Sequence, residues 1–267
     1  MPDLVYPSVI AVARAVFALQ GLKFRVDGAA DIPRTGGAVM AINHFGYFDF
    51  TYAGYAALPA RRYVRFMAKQ EVFSHPVAGP LMRGMRHIPV DRAAGAGSYR
   101  SAVTALRSGE IVGVFPEATL SRSFELKEFK SGAARMAAEA GVPLLPTVIW
   151  GSQRVWTKDH PRRLGRSGVP IQIRVGAPIA VPPDADPVKA TLELRECMSE
   201  LLRQAQEQYP DHARPGEDAW WLPARLGGTA PTPEQATALD SAELRERVAQ
   251  RAAKRRARQA PRNPNPK

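Results

Sequence analysis

The sequence lacks the features that would place it in several large protein classes. Its 267 residues include one cysteine, Cys197, so no disulfide can form within the chain, and paired-cysteine metal motifs are excluded. This cysteine usage suits a reducing compartment. No apolar run reaches the roughly 20 residues that a membrane-spanning helix needs, and the nearest, residues 9–19, is interrupted by Arg14. The first residues carry Asp3 and no basic cluster, which argues against a signal peptide.

Motifs for several kinds of chemistry are also missing. Glycine-rich nucleotide-binding loops of the Rossmann and P-loop types do not occur. The G-x-S-x-G turn that presents the nucleophile of serine hydrolases does not occur either. The histidines and acidic residues show no third and fourth ligand at a spacing typical of metal sites. We therefore predict no bound metal and no resident cofactor.

Acidic residues are fewer than basic ones. The chain has 25 Asp and Glu against 37 Lys and Arg, a formal net charge of +12, which predicts anionic partners. More than half of this charge lies in residues 241–267, where nine basic residues stand against two acidic ones. Each Lys or Arg near an anionic membrane adds about 1 kcal/mol of attraction, so we expect this tail to favour an anionic membrane surface. A solvated tail is the alternative. No specific nucleic-acid binding is expected, because aromatic stacking platforms and reader modules are absent.

Short apolar runs alternate with helix-like segments along the chain. Strands are predicted at residues 22–28, 37–42, 62–69, 111–115, 144–150 and 170–175, and helices at residues 50–58, 98–107, 130–140 and 188–208. The run at 111–115 is apolar throughout, as in a buried parallel strand. This alternation predicts an α/β fold with a central mixed, largely parallel sheet flanked by helices.

Composition divides the chain into four parts. Residues 1–20 are predicted to form a helix that lies either in the core or in a membrane interface. Residues 21–209 hold the predicted α/β domain. Residues 210–240 are rich in proline and glycine and are predicted to be irregular, with two adjacent tryptophans packed on the domain. Residues 241–267 form the basic tail, predicted to be partly disordered.

A histidine and a carboxylate stand five positions apart at a predicted strand-to-helix junction. His44 follows the strand at 37–42, and Asp49 precedes the helix at 50–58. Open α/β sheets place their ligand sites at the carboxyl ends of strands. There His44 can accept a proton while Asp49 orients and charge-stabilises its ring. A lone histidine beside a carboxylate is also common as a solvated pair or a cap, so this motif alone leaves both interpretations open.

Four further segments follow in order. They are residues 84–92 (GMRHIPVDR), 115–123 (FPEATLSRS), 130–135 (KSGAAR) and 142–147 (VPLLPT). Together with the block around His44, which matches the HX4D motif, they resemble the glycerolipid acyltransferase family. The best-known members of that family are the 1-acylglycerol-3-phosphate acyltransferases. The resemblance covers about residues 20–180.

The resemblance implies a fold and a reaction. The fold is that of glycerol-3-phosphate acyltransferase-like proteins, over residues 21–209. The reaction moves a fatty acyl group from a CoA or acyl-carrier-protein thioester to the hydroxyl of a lysoglycerolipid, with 1-acylglycerol 3-phosphate as the first acceptor to consider. His44 is then the general base, Asp49 its support, and the thioester a co-substrate. Family members often dock to membranes, which implies a cytoplasmic protein, peripheral on the cytoplasmic membrane face.

The resemblance also implies an acceptor site. In the family, residues matching Arg92 and the block at 115–123 line the pocket for the glycerol phosphate. A guanidinium suits phosphate because it donates two parallel, charge-assisted hydrogen bonds. Glu117 and Thr119 belong to this block, and Glu117 is expected to hold either the acceptor or the pocket backbone. Arg62 is among the basic residues expected to meet the phosphates of the donor.

One part of this block departs from the family. Ala118-Thr119-Leu120 stands where the family has Gly-Thr-Arg. The loss of the glycine predicts the loss of φ > 0 conformations and of close backbone approach. The loss of the arginine removes a phosphate ligand. Arg122 lies two positions on, hence on the same face of an extended segment, and is a candidate substitute. Lys127 and Lys130 are further candidates.

Three alternatives remain open. The departure from the family pattern is compatible with another lysolipid, or a glycolipid, as the acceptor. With water as the acceptor, His44 and Asp49 would make a thioesterase. A non-catalytic membrane-binding or nucleic-acid-binding protein would depend on residues 241–267 and bind in a salt-sensitive way.

Overall fold

The computed structural model describes residues 3–91, 95–214 and 216–259. Within these ranges the helices are α1 (Val5–Leu19), α2 (Asp49–Ala56), α3 (Gln70–Phe73), α4 (Ala78–Gly84), α5 (Gly95–Arg107), α6 (Gly132–Ala140), α7 (Pro187–Glu207) and α8 (Pro233–Gln259). The strands are β1 (Lys23–Asp27), β2 (Ala38–Ile42), β3 (Val64–Lys69), β4 (Ile88–Val90), β5 (Ile111–Val114), β6 (Leu144–Trp150) and β7 (Pro170–Val175). The sequence predicted all of these strands except β4, which is too short to show a periodic pattern.

The strands form one sheet in the order β1-β7-β6-β2-β5-β3-β4. Neighbouring strands are parallel except β6 and β7. Every residue of β2, β5 and β6 is buried. Their continuous apolar runs follow from this position, because helices cover both faces of a largely parallel sheet. The predicted mixed, largely parallel sheet flanked by helices is confirmed.

Two apolar cores fix the sheet. Val39 and Ala41 of β2 pack in one core, and Met40 and Ile42 in the other, as the alternation of side chains along a strand requires. Helices α5, α6 and α7 contribute to the first core, and α1 and α2 to the second. The carboxyl end of β2, where His44 follows, is therefore held from both sides.

Helix α1 has one packed face and one exposed apolar face. The Tyr6 hydroxyl donates a 2.7 Å hydrogen bond to the Val64 carbonyl oxygen, and Phe17 is buried in the core beside α2. The exposed large apolar side chains at this end of the chain are Leu4, Val12, Val16 and Leu19. The packed face agrees with the predicted core setting of this helix, and its setting in a membrane interface stays a prediction. No helix in the described part of the chain is both long enough and apolar enough to cross a membrane.

The segment after α7 begins irregular, as predicted, with Trp221 buried in the first core. It ends earlier than predicted, because α8 starts at Pro233. The cause is a reciprocal cap: the Gln235 N–H donates to the Thr232 hydroxyl (3.3 Å), and the Thr232 N–H donates to the Gln235 side chain (2.9 Å). Proline at the first helical position adds to this signal. The predicted disorder at the end of the basic tail concerns residues 260–267, which lie outside the described residues.

Candidate active site

His44 and Asp49 meet at the carboxyl end of β2. The His44 Nδ1 atom lies 3.1 Å from the Asp49 Oδ2 atom. The same oxygen accepts hydrogen bonds from the backbone N–H groups of Phe45 and Gly46, each 2.8 Å long. Asp49 is fully buried and starts α2, where a helix N-terminus favours a negative charge. One carboxylate oxygen therefore holds the loop closed and faces the imidazole.

The Glu117 carboxylate supports the same loop from the end of β5. Its Oε1 atom accepts the His44 N–H at 2.9 Å, and its Oε2 atom accepts the Lys127 N–H at 3.1 Å. Burial raises the pKa of Glu117 to about 8, although both N–H donors favour the charged form. The His44 carbonyl oxygen in turn accepts the Ser121 N–H at 2.8 Å. Glu117 thus binds two backbone N–H groups, which corresponds to one of the two roles expected for it.

The His44 ring is aimed by these contacts. It stacks on Phe115, with ring centroids 4.1 Å apart, and 19% of its side chain is exposed. Since Nδ1 faces the Asp49 carboxylate, the tautomer that donates from Nδ1 leaves Nε2 free to accept a proton. A buried carboxylate, an oriented imidazole and partial exposure are the elements of a general base.

Comparisons with known proteins identify the family of the chain. A family model described as Acyltransferase matches residues 23–150. The 1-acyl-sn-glycerol-3-phosphate acyltransferase of Bacillus subtilis (strain 168) is 32% identical over 139 residues, which make up 52% of this chain and 67% of that protein. The chain belongs to the acyltransferase family. It is accordingly an enzyme of acyl transfer.

Two further similarities are more distant. A protein of Borreliella burgdorferi (strain ATCC 35210 / DSM 4680 / CIP 102532 / B31), also named 1-acyl-sn-glycerol-3-phosphate acyltransferase, is 27% identical over 163 residues, 59% of this chain and 62% of that protein. The crystal structure of the 1-acyl-sn-glycerophosphate (LPA) acyltransferase PlsC from Thermotoga maritima superposes with a TM-score of 0.61 at 20% identity, covering 74% of this chain and 78% of that one. The second similarity shows that the fold is shared.

The loop between β2 and α2, residues 43–48, carries the predicted base, and we name it the catalytic loop. Several residues that the sequence did not single out hold this loop in position. The Asn43 side chain exchanges two hydrogen bonds with the Ile149 backbone of β6, at 3.0 and 2.7 Å. The Thr157 hydroxyl donates to the Phe45 carbonyl oxygen at 2.6 Å. Gly46 sits so close to Ser152 that an added Cβ would lie 2.9 Å from its carbonyl oxygen. Only the adjacency of Asn43 to His44 could have pointed to one of them.

The backbone at Ala118 differs from the expectation. Replacement of the family's glycine predicted that φ > 0 would be lost, yet Ala118 has φ = 61°. The Ala118 N–H donates to the Phe115 carbonyl oxygen at 3.0 Å, so the turn keeps its shape. The left-handed conformation costs an L-residue roughly 1–2 kcal/mol. The alanine therefore keeps the glycine geometry at the expense of strain.

The other predicted acceptor residues have different settings. Arg92 lies outside the described residues. Thr119 is exposed, and its hydroxyl accepts a 2.8 Å hydrogen bond from the Lys127 Nζ atom. Lys130 is exposed. Arg122 is 9% exposed, and its guanidinium contacts three carboxylates, those of Asp159, Asp240 and Glu243. The roles predicted for these four residues stay predictions.

Arg62 lies far from the catalytic loop. Its guanidinium donates to the backbone carbonyl oxygens of Pro33, Gly36 and Gly109. These residues precede strands β2 and β5, hence lie at the amino ends of the sheet, opposite His44. The guanidinium is engaged by loop carbonyl oxygens, and the expected contact of Arg62 with the donor stays a prediction.

We expect Ala118→Gly to raise the free energy of unfolding by up to about 1 kcal/mol. Glycine removes the penalty of roughly 1–2 kcal/mol that an L-residue has in the left-handed conformation. It also makes the unfolded chain more flexible, which lowers the free energy of unfolding by about 0.4–1 kcal/mol. Urea denaturation measures the change. The exposed neighbour Thr119, whose φ is not positive, gives the control: Thr119→Gly should destabilise the protein. Equal losses in both variants would contradict the strain at Ala118.

We expect Glu117→Gln to lower turnover at least about tenfold without unfolding the protein. Glutamine replaces one acceptor oxygen by NH₂, which leaves a buried N–H unpaired, at a cost of about 1–3 kcal/mol. This reason holds for either protonation state of Glu117, since both keep two acceptor oxygens. Circular dichroism and steady-state kinetics check it. Glu125→Gln, which changes a surface partner of Arg225, is the control and should keep full turnover.

Proposed function

We propose that this acyltransferase moves a fatty acyl group from a CoA or acyl-carrier-protein thioester to the free hydroxyl of 1-acylglycerol 3-phosphate. The observation that carries the proposal is the 3.1 Å contact between His44 and a fully buried Asp49, with Nε2 left to act as the base. The acceptor named in the activity of the Bacillus and Borreliella relatives supports this choice.

The proposed reaction needs no enzyme nucleophile. The His44 Nε2 atom takes the proton of the acceptor hydroxyl as the hydroxyl oxygen attacks the thioester carbonyl carbon. The tetrahedral intermediate collapses, the C–S bond breaks, and the imidazolium returns its proton to the leaving thiolate. The products are an ester and a thiol. The Asp49 carboxylate stabilises the imidazolium between these steps, as the buried carboxylate does in a Ser-His-Asp triad.

An apolar cavity between α1 and α2 supports a place for an acyl chain. It is lined by Phe17, Phe50, Gly54, Leu58 and Phe66, among others. Phe50 directly follows Asp49 in the sequence, so one residue of the cavity lining adjoins the proposed catalytic pair. A fatty acyl chain would bind favourably against such an apolar lining, because each methylene group that is buried contributes about 0.8 kcal/mol to the binding free energy.

We also propose that the protein works at the surface of an anionic membrane, as a peripheral protein of the cytoplasmic face. The exposed apolar side chains of α1 and the basic residues after residue 241 support this proposal. Apolar burial and attraction to anionic headgroups together strengthen interfacial binding.

A second acceptor class has one observation in its favour. Leu120 replaces the family's arginine and is 7% exposed, and the Arg122 guanidinium is engaged by three carboxylates. A pocket with fewer available cations suits an uncharged lysolipid or a glycolipid. The two classes differ in the phosphate, so a panel of acceptors separates them.

We expect His44→Ala to lower turnover by roughly 10²–10⁴, the usual contribution of a general base. The assay follows thiol release from a long-chain acyl-CoA, first alone and then with lysophosphatidic acid, monoacylglycerol or a glycolipid. His212→Ala, which removes an exposed histidine, is the matched control. Full turnover in a folded His44→Ala variant would contradict the mechanism, and His44-dependent release without any acceptor would indicate a thioesterase.

We expect Gly54→Leu to shift the enzyme toward shorter acyl chains. A leucine side chain here enters the apolar cavity, and exclusion of about two methylenes costs roughly tenfold in kcat/KM for long chains. The measurement compares palmitoyl-CoA with lauroyl-CoA. Gly54→Ala is the control, because its Cβ would lie 3.7 Å from Phe66, an ordinary contact. An unchanged ratio in Gly54→Leu would place the chain elsewhere.

A further inference from the structure

Two acidic side chains of α8 reach into a cluster of three cations, which we name the cation cluster: Arg122, Lys127 and Lys158. Asp240 contacts all three, with its Oδ2 atom 2.6 Å from the Lys127 Nζ atom. Glu243 lies 2.9 Å from the Arg122 Nη2 atom and 3.0 Å from the Lys158 Nζ atom. The hydrogen bond from Lys158 is the main cause that lowers the pKa of Glu243, to about 2, so this carboxylate stays ionised.

Each member of the cation cluster adjoins the catalytic loop. Arg122 follows Ser121, whose N–H binds the His44 carbonyl oxygen. The backbone N–H of Lys127 binds Glu117, which also holds the His44 N–H. Lys158 follows a threonine whose hydroxyl binds the carbonyl oxygen of the residue after His44. Arg122 and Lys158 are therefore sequence neighbours of residues that hydrogen-bond to the catalytic loop, and Lys127 hydrogen-bonds to a residue that does so.

The charge of the cluster suits a phosphate dianion. Asp159 also binds the Arg122 Nε atom and belongs to the body of the protein, so three cations and one fixed carboxylate leave a balance of +2 when α8 is set aside. Guanidinium and ammonium groups are the usual protein ligands of phosphate. Asp240 and Glu243 stand three positions apart on one helical face and supply two negative charges at this place, and Glu243 also pairs with Arg247 of the same helix.

Helix α8 is held mainly by these ion pairs. Between Pro233 and residue 250, the buried residue of the helix is Ala236, while Leu239, Leu244 and Val248 are exposed. The apolar surface that α8 buries between these residues is therefore small, and it contributes little to the attachment of the helix. Partly exposed ion pairs are weak and are screened by salt, so an anionic ligand can compete with them.

We propose that Arg122, Lys127 and Lys158 form a phosphate-binding site beside the catalytic loop and that Asp240 and Glu243 of α8 occupy it in the substrate-free protein. Helix α8 is then an intrachain competitor of the anionic substrate. This inference rests on the proposed function, in which both substrates carry phosphate. The phosphate belongs either to the glycerol phosphate of the acceptor or to the CoA moiety of the donor.

The test is the double variant Asp240→Asn/Glu243→Gln in the full chain. Its matched control is Glu196→Gln/Glu234→Gln, which removes the same charge at two exposed positions outside the cluster contacts. We expect the KM for the phosphate-bearing substrate to fall about fivefold to tenfold in the first variant, with kcat unchanged. The control should keep the KM of the unaltered protein. A fall for lysophosphatidic acid assigns the site to the acceptor, and a fall for acyl-CoA assigns it to the donor.

Binding of inorganic phosphate, measured by calorimetry, gives a readout that does not need turnover. The double variant should bind phosphate about fivefold to tenfold more tightly than the unaltered protein, and Lys158→Gln added to it should reverse the gain. Equal phosphate binding in the unaltered protein, the double variant and the control would overturn the inference. Absence of acyl transfer with every acceptor, together with tighter phosphate binding, would overturn the proposed function and leave the site in place.

Discussion

The fully buried Asp49 carboxylate determines the shape of the catalytic loop. A buried charge is expensive unless it is hydrogen-bonded. The Asp49 Oδ2 atom accepts the Phe45 and Gly46 N–H groups at the start of α2, whereas its buried Oδ1 atom has no hydrogen-bond partner among the described residues. The Oδ2 atom also faces His44 Nδ1, so the contacts that stabilise the buried carboxylate also orient the imidazole. The shape of the loop and the orientation of the His44 ring therefore depend on one set of hydrogen bonds.

The parallel order of the central strands explains how distant segments reach this loop. Strand β2 lies between β5 and β6, so the segments that follow all three strands emerge at one edge of the sheet. Glu117, after β5, binds the His44 backbone across 73 residues of sequence, and Thr157, after β6, binds Phe45 across 112. Asn43 ties the end of β2 directly to β6. The catalytic loop is thus supported from both neighbouring strands and is not an independent turn.

The sequence predicted what depends on local pattern. Apolar runs located the buried strands β2, β5 and β6, and the spacing of His44 and Asp49 pointed to their pairing. Prediction from the sequence failed where contacts between residues far apart in the chain determine the structure. The guanidinium of Arg122 meets carboxylates more than a hundred residues away. Prediction also failed at a strained turn, where Ala118 has φ > 0 although alanine disfavours it. The early start of α8 was readable in principle, because the Thr232–Gln235 cap is a local signal.

The helices near the two ends of the chain are attached by different forces. Helix α1 is held by apolar burial of Phe17 and by the Tyr6 hydrogen bond, with an ion pair between Asp3 and Arg65 just before it. The acidic part of α8 is held by the cation cluster. Ion pairs at this degree of exposure weaken as ionic strength rises, because the screening length falls to about 8 Å at physiological salt. Apolar contacts do not weaken in this way. Rising ionic strength is therefore expected to weaken the attachment of α8 more than that of α1, beside which the Asp3–Arg65 ion pair is more deeply buried than the Asp240–Lys127 pair.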